Sequence, residues 1–203
     1  MPASGEGAPK VLLFDVMGVL VHDPFYLDFP RFFGLSLEEL LEMKHPSSWI
    51  EFEHGRIDEA GYLASVFADG RAVDGDALKA CLRSAYRWLP GMEALVNELF
   101  ERGVPMHALS NYSVWYRMID EVLGLSRYVN LSFVSCETGV RKPDPEAYLG
   151  AARALELEPA ACLFIDDTRA NIAGAERVGM PALRFTGAEA LRRDLSARGV
   201  LTE

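Results

Sequence analysis

Lys10-Val-Leu-Leu-Phe-Asp-Val16 is an apolar run that meets an acid and then Gly18. It reads as a buried β-strand ending in a turn, with Asp15 delivered at its carboxyl end. Similar runs recur at Val104 to Leu109, Leu131 to Cys136, Ala161 to Ile165 and Pro181 to Phe185. Helical patterns separate the later ones. Met92 to Arg102 is stopped by Gly103, and Pro145 to Leu155 opens with Asp144 as N-cap and Pro145 at the first helical position. Thr168 to Val178 reads as a helix capped by Thr168 and stopped by Gly179. Strands alternating with helices predict an α/β fold, a mostly parallel sheet with helices on both faces.

Residues 21–88 break that rhythm. They hold no strand pattern but several amphipathic helical pieces: a capping-box start at Ser36-Leu-Glu-Glu39, then Ile57 to Phe67 and Asp76 to Trp88. This predicts a small all-helical cap inserted after the first strand. The two-part division is residues 1–20 and 89–203 as the sheet core, with 21–88 as the cap.

The net charge of −10, with 30 acidic against 20 basic residues, argues against nucleic acid or an anionic membrane as partner, since both are bound through clustered Lys and Arg. A small phosphorylated substrate needs only a few positive groups locally, so that class stays open. Cys81, Cys136 and Cys162 match neither a disulfide framework nor a metal knuckle and read as reduced thiols. With no apolar signal core in residues 1–10 and no membrane-length apolar stretch, the expectation is a cytoplasmic protein, monomeric or homodimeric.

Ligands of open parallel sheets sit beyond the carboxyl ends of the strands. Those ends here carry Asp15, then Ser110-Asn111, then Asp166-Asp167, with Lys142 in the loop before the helix that follows the third strand. Converging carboxylates repel one another unless a cation sits among them, and an all-oxygen set suits Mg²⁺. Lys142 and the Ser110 hydroxyl supply what a phosphoryl group needs, and backbone N–H groups after Asp15 and Ser110 can add to that cradle.

These residues resemble the four motifs of the haloacid dehalogenase-like hydrolase superfamily, in its helical-capped, phosphatase-like branch. They stand here as Phe14-Asp15-Val16-Met17-Gly18-Val19-Leu20, Leu109-Ser110-Asn111, Arg141-Lys142-Pro143-Asp144-Pro145 and Phe164-Ile165-Asp166-Asp167-Thr168 with Asn171. The resemblance spans nearly the whole chain and implies a Rossmann-like core under a cap. It further implies a Mg²⁺-dependent phosphatase working through an aspartyl-phosphate on Asp15. Ser110, Asn111 and Lys142 would hold the phosphoryl group. Asp15, the Met17 backbone carbonyl and Asp167 would bind the metal. Asp166 would hold a metal-bound water or orient Lys142, with Gly18 and Asn171 supporting the loops.

Met17 departs from the pattern. Most phosphatases of this family carry a second Asp there, which protonates the leaving oxygen and then activates water, a contribution of about 10²–10⁴-fold. Methionine does neither, so aryl and acyl phosphates are favoured as substrates. Three alternatives follow: phosphonate cleavage with Lys44 or Lys79 as Schiff base, dehalogenation, or a non-catalytic phosphate-binding descendant. Replacement acids from the cap side are His22, Asp23, His45 and His54. Trp49, Glu51 and Arg56 are candidates for substrate selection, while Phe52, Tyr62, Phe67 and Trp88 read as cap core.

Overall fold

The computed structural model describes residues 8–201; residues 1–7, within the stretch read as having no apolar signal core, lie outside them. Chain order runs β1 (Val11–Phe14), α1 (Asp28–Phe32), α2 (Leu37–Met43), α3 (Ser48–Glu53), α4 (Glu59–Ala64), α5 (Gly75–Ala85), α6 (Met92–Glu101) and β2 (Met106–Ser110). It continues with α7 (Tyr116–Leu123), β3 (Asn130–Val134), α8 (Ser135–Thr138), α9 (Pro145–Ala154), β4 (Cys162–Asp166), α10 (Arg169–Arg177), β5 (Ala182–Arg184) and α11 (Ala188–Ala197).

The strands form one parallel sheet in the order β3-β2-β1-β4-β5. The chain winds outward from β1 to β3 on one side, then crosses to β4 and β5 on the other. The crevice where the winding direction reverses lies at the carboxyl ends of β1 and β4. Alternation along the strands splits the core into two layers. Val11, Leu13, Cys162 and Phe164 pack with Tyr148 and Ala151 of α9 and Ala175 of α10. Leu12, Phe14, Leu163 and Ile165 face the other way, against Leu95 and Leu99 of α6, Met118 and Ile119 of α7 and Leu191 of α11. Each Leu, Ile or Phe so buried contributes about 1.5–3 kcal/mol. The predicted α/β sheet is the one observed.

Several boundaries differ from expectation. The run read as strand through Cys136 ends at Val134, and Ser135 begins the short α8. There the Ser135 hydroxyl reaches the Glu53 carbonyl at 2.6 Å and accepts the Tyr112 N–H at 3.1 Å, which turns the backbone out of the sheet. Asp144 caps α9 as expected, through the Glu146 N–H. Thr168 occupies the cap position of α10, but its side chain makes no capping bond; its hydroxyl goes to Asp167 at 3.2 Å. Cys81, Cys136 and Cys162 are free thiols. No helix among the described residues is long and apolar enough to cross a membrane.

Between β1 and α6 the described chain is helical. The Ser36–Glu39 capping box closes α2 as the sequence predicts. The other pieces are shorter than their apolar periodicity: α4 starts from an Asp58 cap and α5 from an Asp74 cap, and α5 ends at Ala85. The segment's two ends lie side by side, Leu89 N–H on the Leu20 carbonyl and His22 N–H on the Arg87 carbonyl, both at 2.9 Å. Trp88 sits at this neck, bridged to Val21 and 6.1 Å from the Tyr128 ring, rather than in the helical core. Phe52 and Tyr62 stack at 4.8 Å and meet Trp115, which follows β2, at 5.2 and 5.4 Å. That aromatic cluster fastens the helical segment over the sheet's carboxyl edge.

Candidate active site

The register of the sheet sets the site. Phe14 pairs with Ile165, so Asp15 and Asp166 emerge side by side at the reversal crevice, while Ser110 ends the neighbouring β2. Asp15 is 9% exposed, and its Oδ1 collects three donors: Val16 N–H at 2.7 Å, the Ser110 hydroxyl at 3.0 Å and Lys142 Nζ at 3.0 Å. Oδ2 carries no such bond among the described residues. One oxygen of the carboxylate is thus anchored and the other presented. The Val16 N–H, one of two backbone groups that can add to a phosphate cradle, here donates to Asp15.

Lys142 is 1% exposed and also bonds Asp166 Oδ2 at 2.7 Å. Asp166, wholly buried, accepts further from Asn171 Nδ2 at 3.0 Å and the Thr168 N–H at 2.7 Å. Of the two roles implied for Asp166, orienting Lys142 is the one its contacts carry. Asn111 spends its side-chain amide on the Lys142 backbone, donating to the carbonyl at 2.9 Å and accepting from the N–H at 2.7 Å. Its side chain thereby fixes the lysine loop, and Asn111 also lines the cavity above Asp15. Burial pushes the Asp15 carboxyl up to about 7; Lys142 opposes that and Asp166 reinforces it.

Carboxylate oxygens of Asp15, Asp166 and Asp167 lie within 4.8 Å of one another, a donor set suited to a hard divalent cation such as Mg²⁺. Gly18 makes room for it: its φ is +76°, and a Cβ there would stand 2.7 Å from Asp167 Oδ2. The turn after β1 closes with the Val21 N–H on the Val16 carbonyl and the Gly18 N–H on the Val21 carbonyl. These bonds flank Met17 and leave its carbonyl out of the turn. The Met17 side chain is half-buried against the apolar core.

Above these groups opens a cavity of about 680 Å³ that takes in Asp15, Met17, Lys142 and Asp167 on one side and His22, Asp23, Tyr26 and Trp49 on the other. The size is ordinary for a small-molecule site. Other candidates fall away from it. His45 Nδ1 accepts the Ser48 N–H at 3.2 Å, and His54 lies against the Gly139 carbonyl at 3.1 Å. Glu51 and Arg56 pair with each other at 3.2 Å, and Lys79 pairs with Glu59 at 2.6 Å. None of these, nor Lys44, lines the cavity.

Sequence reasoning missed Glu53 and Arg141. Glu53 is buried in the cavity wall, bound by Arg141 at 2.7 and 3.1 Å and by the Trp49 indole N–H at 2.7 Å. Burial raises its carboxyl above the usual range, partly offset by Arg141. Two signals were present: Glu53 stands four residues from Trp49, on the same helical face, and Arg141 directly precedes Lys142.

The family pattern of haloacid dehalogenase-like hydrolases matches residues 9–179. A chloroplast flavin mononucleotide hydrolase of Arabidopsis thaliana is 47% identical over 190 residues, covering 94% of this chain and 78% of that protein. Among solved structures, a HAD-like family hydrolase from Porphyromonas gingivalis superposes with a TM-score of 0.73 at 22% identity, over 93% of this chain and 98% of that one. A HAD family enzyme from Bacteroides thetaiotaomicron, solved with magnesium and inorganic phosphate, gives 0.70 at 19% identity, over 88% and 94%.

Proposed function

Since the chain belongs to the haloacid dehalogenase-like hydrolases, we propose that it is a Mg²⁺-dependent phosphatase that takes the phosphoryl group of a small metabolite onto Asp15. The observation that carries this reading is the asymmetry of Asp15, with three donors on Oδ1 and Oδ2 left to attack phosphorus. Forming an aspartyl-phosphate there divides one difficult displacement into two easier ones. The Ser110 hydroxyl and Lys142 ammonium, already at the nucleophile, meet the oxygens of the incoming phosphoryl group and hold it in line. Residues 21–88 act as the cap that excludes water above them. Asp15, Asp167 and the Met17 carbonyl would hold Mg²⁺, which would supply positive charge against the charge that develops on the phosphoryl oxygens.

The substrate we propose is a phosphate monoester bearing a flat aromatic ring, flavin mononucleotide first. The plant relative carries that activity in its name, and the cavity wall includes Tyr26, Trp49, Tyr62 and Trp115. Among the described residues the cavity is lined by no lysine besides Lys142, which weighs against a Schiff-base phosphonate hydrolase. Met17 favours one rival, a non-catalytic protein that keeps the phosphate pocket. One experiment separates them: flavin mononucleotide and p-nitrophenyl phosphate incubated with Mg²⁺, with chelator, and with the Asp15→Asn variant. Phosphate release in the first condition alone is expected. No release above the variant on either compound would leave the binding protein as the better account.

A further inference from the structure

Flavin mononucleotide esterifies a primary alcohol, a poor leaving group that needs a proton as the P–O bond breaks. Met17 has none to give. The proton donor must then face the same cavity, and the groups there can be taken in turn. Lys142 is held by Asp15 and Asp166. The Glu53 carboxylate is bound by Arg141 and Trp49. His22 Nε2 lies 2.8 Å from Asp28 Oδ2. The Tyr112 hydroxyl, raised far above its usual range by burial, is shared with Tyr86 at 3.1 Å. Tyr26 is 64% exposed at the mouth, and its hydroxyl is raised as well.

Asp23 is left. It caps the 3₁₀ turn Pro24–Tyr26, with Oδ1 accepting the Phe25 N–H at 2.9 Å and the second oxygen unengaged among the described residues. It lines the cavity together with Asp15, Met17 and Asp167.

Resting on the phosphatase reading above, we propose that Asp23 is the catalytic acid and base that stands in for the missing carboxylate at position 17. In the first step Asp15 Oδ2 forms a bond to phosphorus as the P–O bond of the ester breaks, and the Asp23 proton goes to the departing alkoxide oxygen. In the second, Asp23 takes a proton from water as the water oxygen attacks phosphorus. Asp15 and phosphate are released, and Asp23 is protonated again. Burial, with Asp167 adding to it, raises the Asp23 carboxyl above its ordinary value, against the Phe25 N–H and His22, which lower it. That favours the protonated form the first step uses.

Asp23→Asn tests this, because asparagine keeps the acceptor for the Phe25 N–H and removes only the proton. The readout is kcat/KM, which covers steps through phosphoryl transfer, with flavin mononucleotide and with p-nitrophenyl phosphate, whose leaving group scarcely needs an acid. The expected loss is about 10²-fold or more on the flavin ester and under about tenfold on the aryl ester. Adding Met17→Asp in the same background is expected to recover the flavin ester selectively. Parallel losses on both esters, or none, without recovery from Met17→Asp, would overturn the assignment of Asp23. Wild-type protein inactive on both esters would instead sink the phosphatase reading.

Discussion

Binding Mg²⁺ should expel a proton from Asp15. Without a cation, burial and the neighbouring Asp166 hold the Asp15 carboxyl up to about 7 even with Lys142 at 3.0 Å. A cation needs the ionised form, so the two compete and apparent affinity follows the ionised fraction. For a single group near 7 that fraction is about 0.1 at pH 6 and about 0.9 at pH 8. Apparent Mg²⁺ affinity should therefore rise about tenfold between those pH values, about 1.4 kcal/mol. The sign is set by the direction of the shift: a carboxyl in its ordinary range would be ionised at both pH values and give no change. Isothermal titration in two buffers of different ionisation heat reads the proton count directly. About 0.9 protons released per Mg²⁺ at pH 6 and about 0.1 at pH 8 are expected. Asp15→Asn should bind more weakly and release none. Affinity flat across this range, with no buffer-dependent heat, would refute the argument that burial outweighs the lysine.

Three further outcomes follow from contacts already described. Gly18→Ala places a Cβ 2.7 Å from Asp167 Oδ2 at a φ of +76°; the backbone alone costs about 1–2 kcal/mol, and Mg²⁺ titration should show weakened binding as Asp167 is pushed aside. Lys142→Met leaves the wholly buried Asp166 without its ammonium partner, and urea denaturation at pH 8 should show a loss of about 3–5 kcal/mol. A loss below about 1 kcal/mol would mean that the charge finds solvent. Ser135→Ala strips the Glu53 carbonyl and the Tyr112 N–H of a common partner, for an expected thermal-melt loss of about 1–3 kcal/mol.

The sheet was readable because its inner strands β1, β2 and β4 are buried almost throughout and so appear as apolar runs, and because Gly103, Gly179, Asp144 and Pro145 mark helix ends by local chemistry. The helical segment was readable only as a class. Asp58 and Asp74 cap the starts of α4 and α5, which stop at Ala64 and Ala85, while the apolar periodicity runs on to Phe67 and Trp88. Asp15, Ser110 and the Asp166–Asp167 pair converge from their strand ends, and Lys142 joins them from the loop before α9. What stayed hidden depends on contacts between distant segments. Glu53 looks like a solvated helix acid until Arg141, 88 residues on, is seen to bind it. Ser135 looks like part of a strand until its hydroxyl is seen between Glu53 and Tyr112.

The Glu53–Arg141 pair has a consequence for how this pocket can diverge. Arg141 is covalently next to the lysine that bonds Asp15, so remodelling the Trp49–Glu53 side should disturb the Lys142 loop at once. The opposite side, the Pro24–Tyr26 turn, is fastened by its own Asp23–Phe25 bond and ends in solvent at Tyr26. One flank is thus tied to the Lys142 loop, while the other, Asp23 apart, is open to change. New substrate preferences should be found by varying Phe25 and Tyr26, while substitutions around Glu53 should mostly damage turnover whatever the substrate. A saturation library over the two flanks, sorted by activity on several esters, would reveal that unequal tolerance.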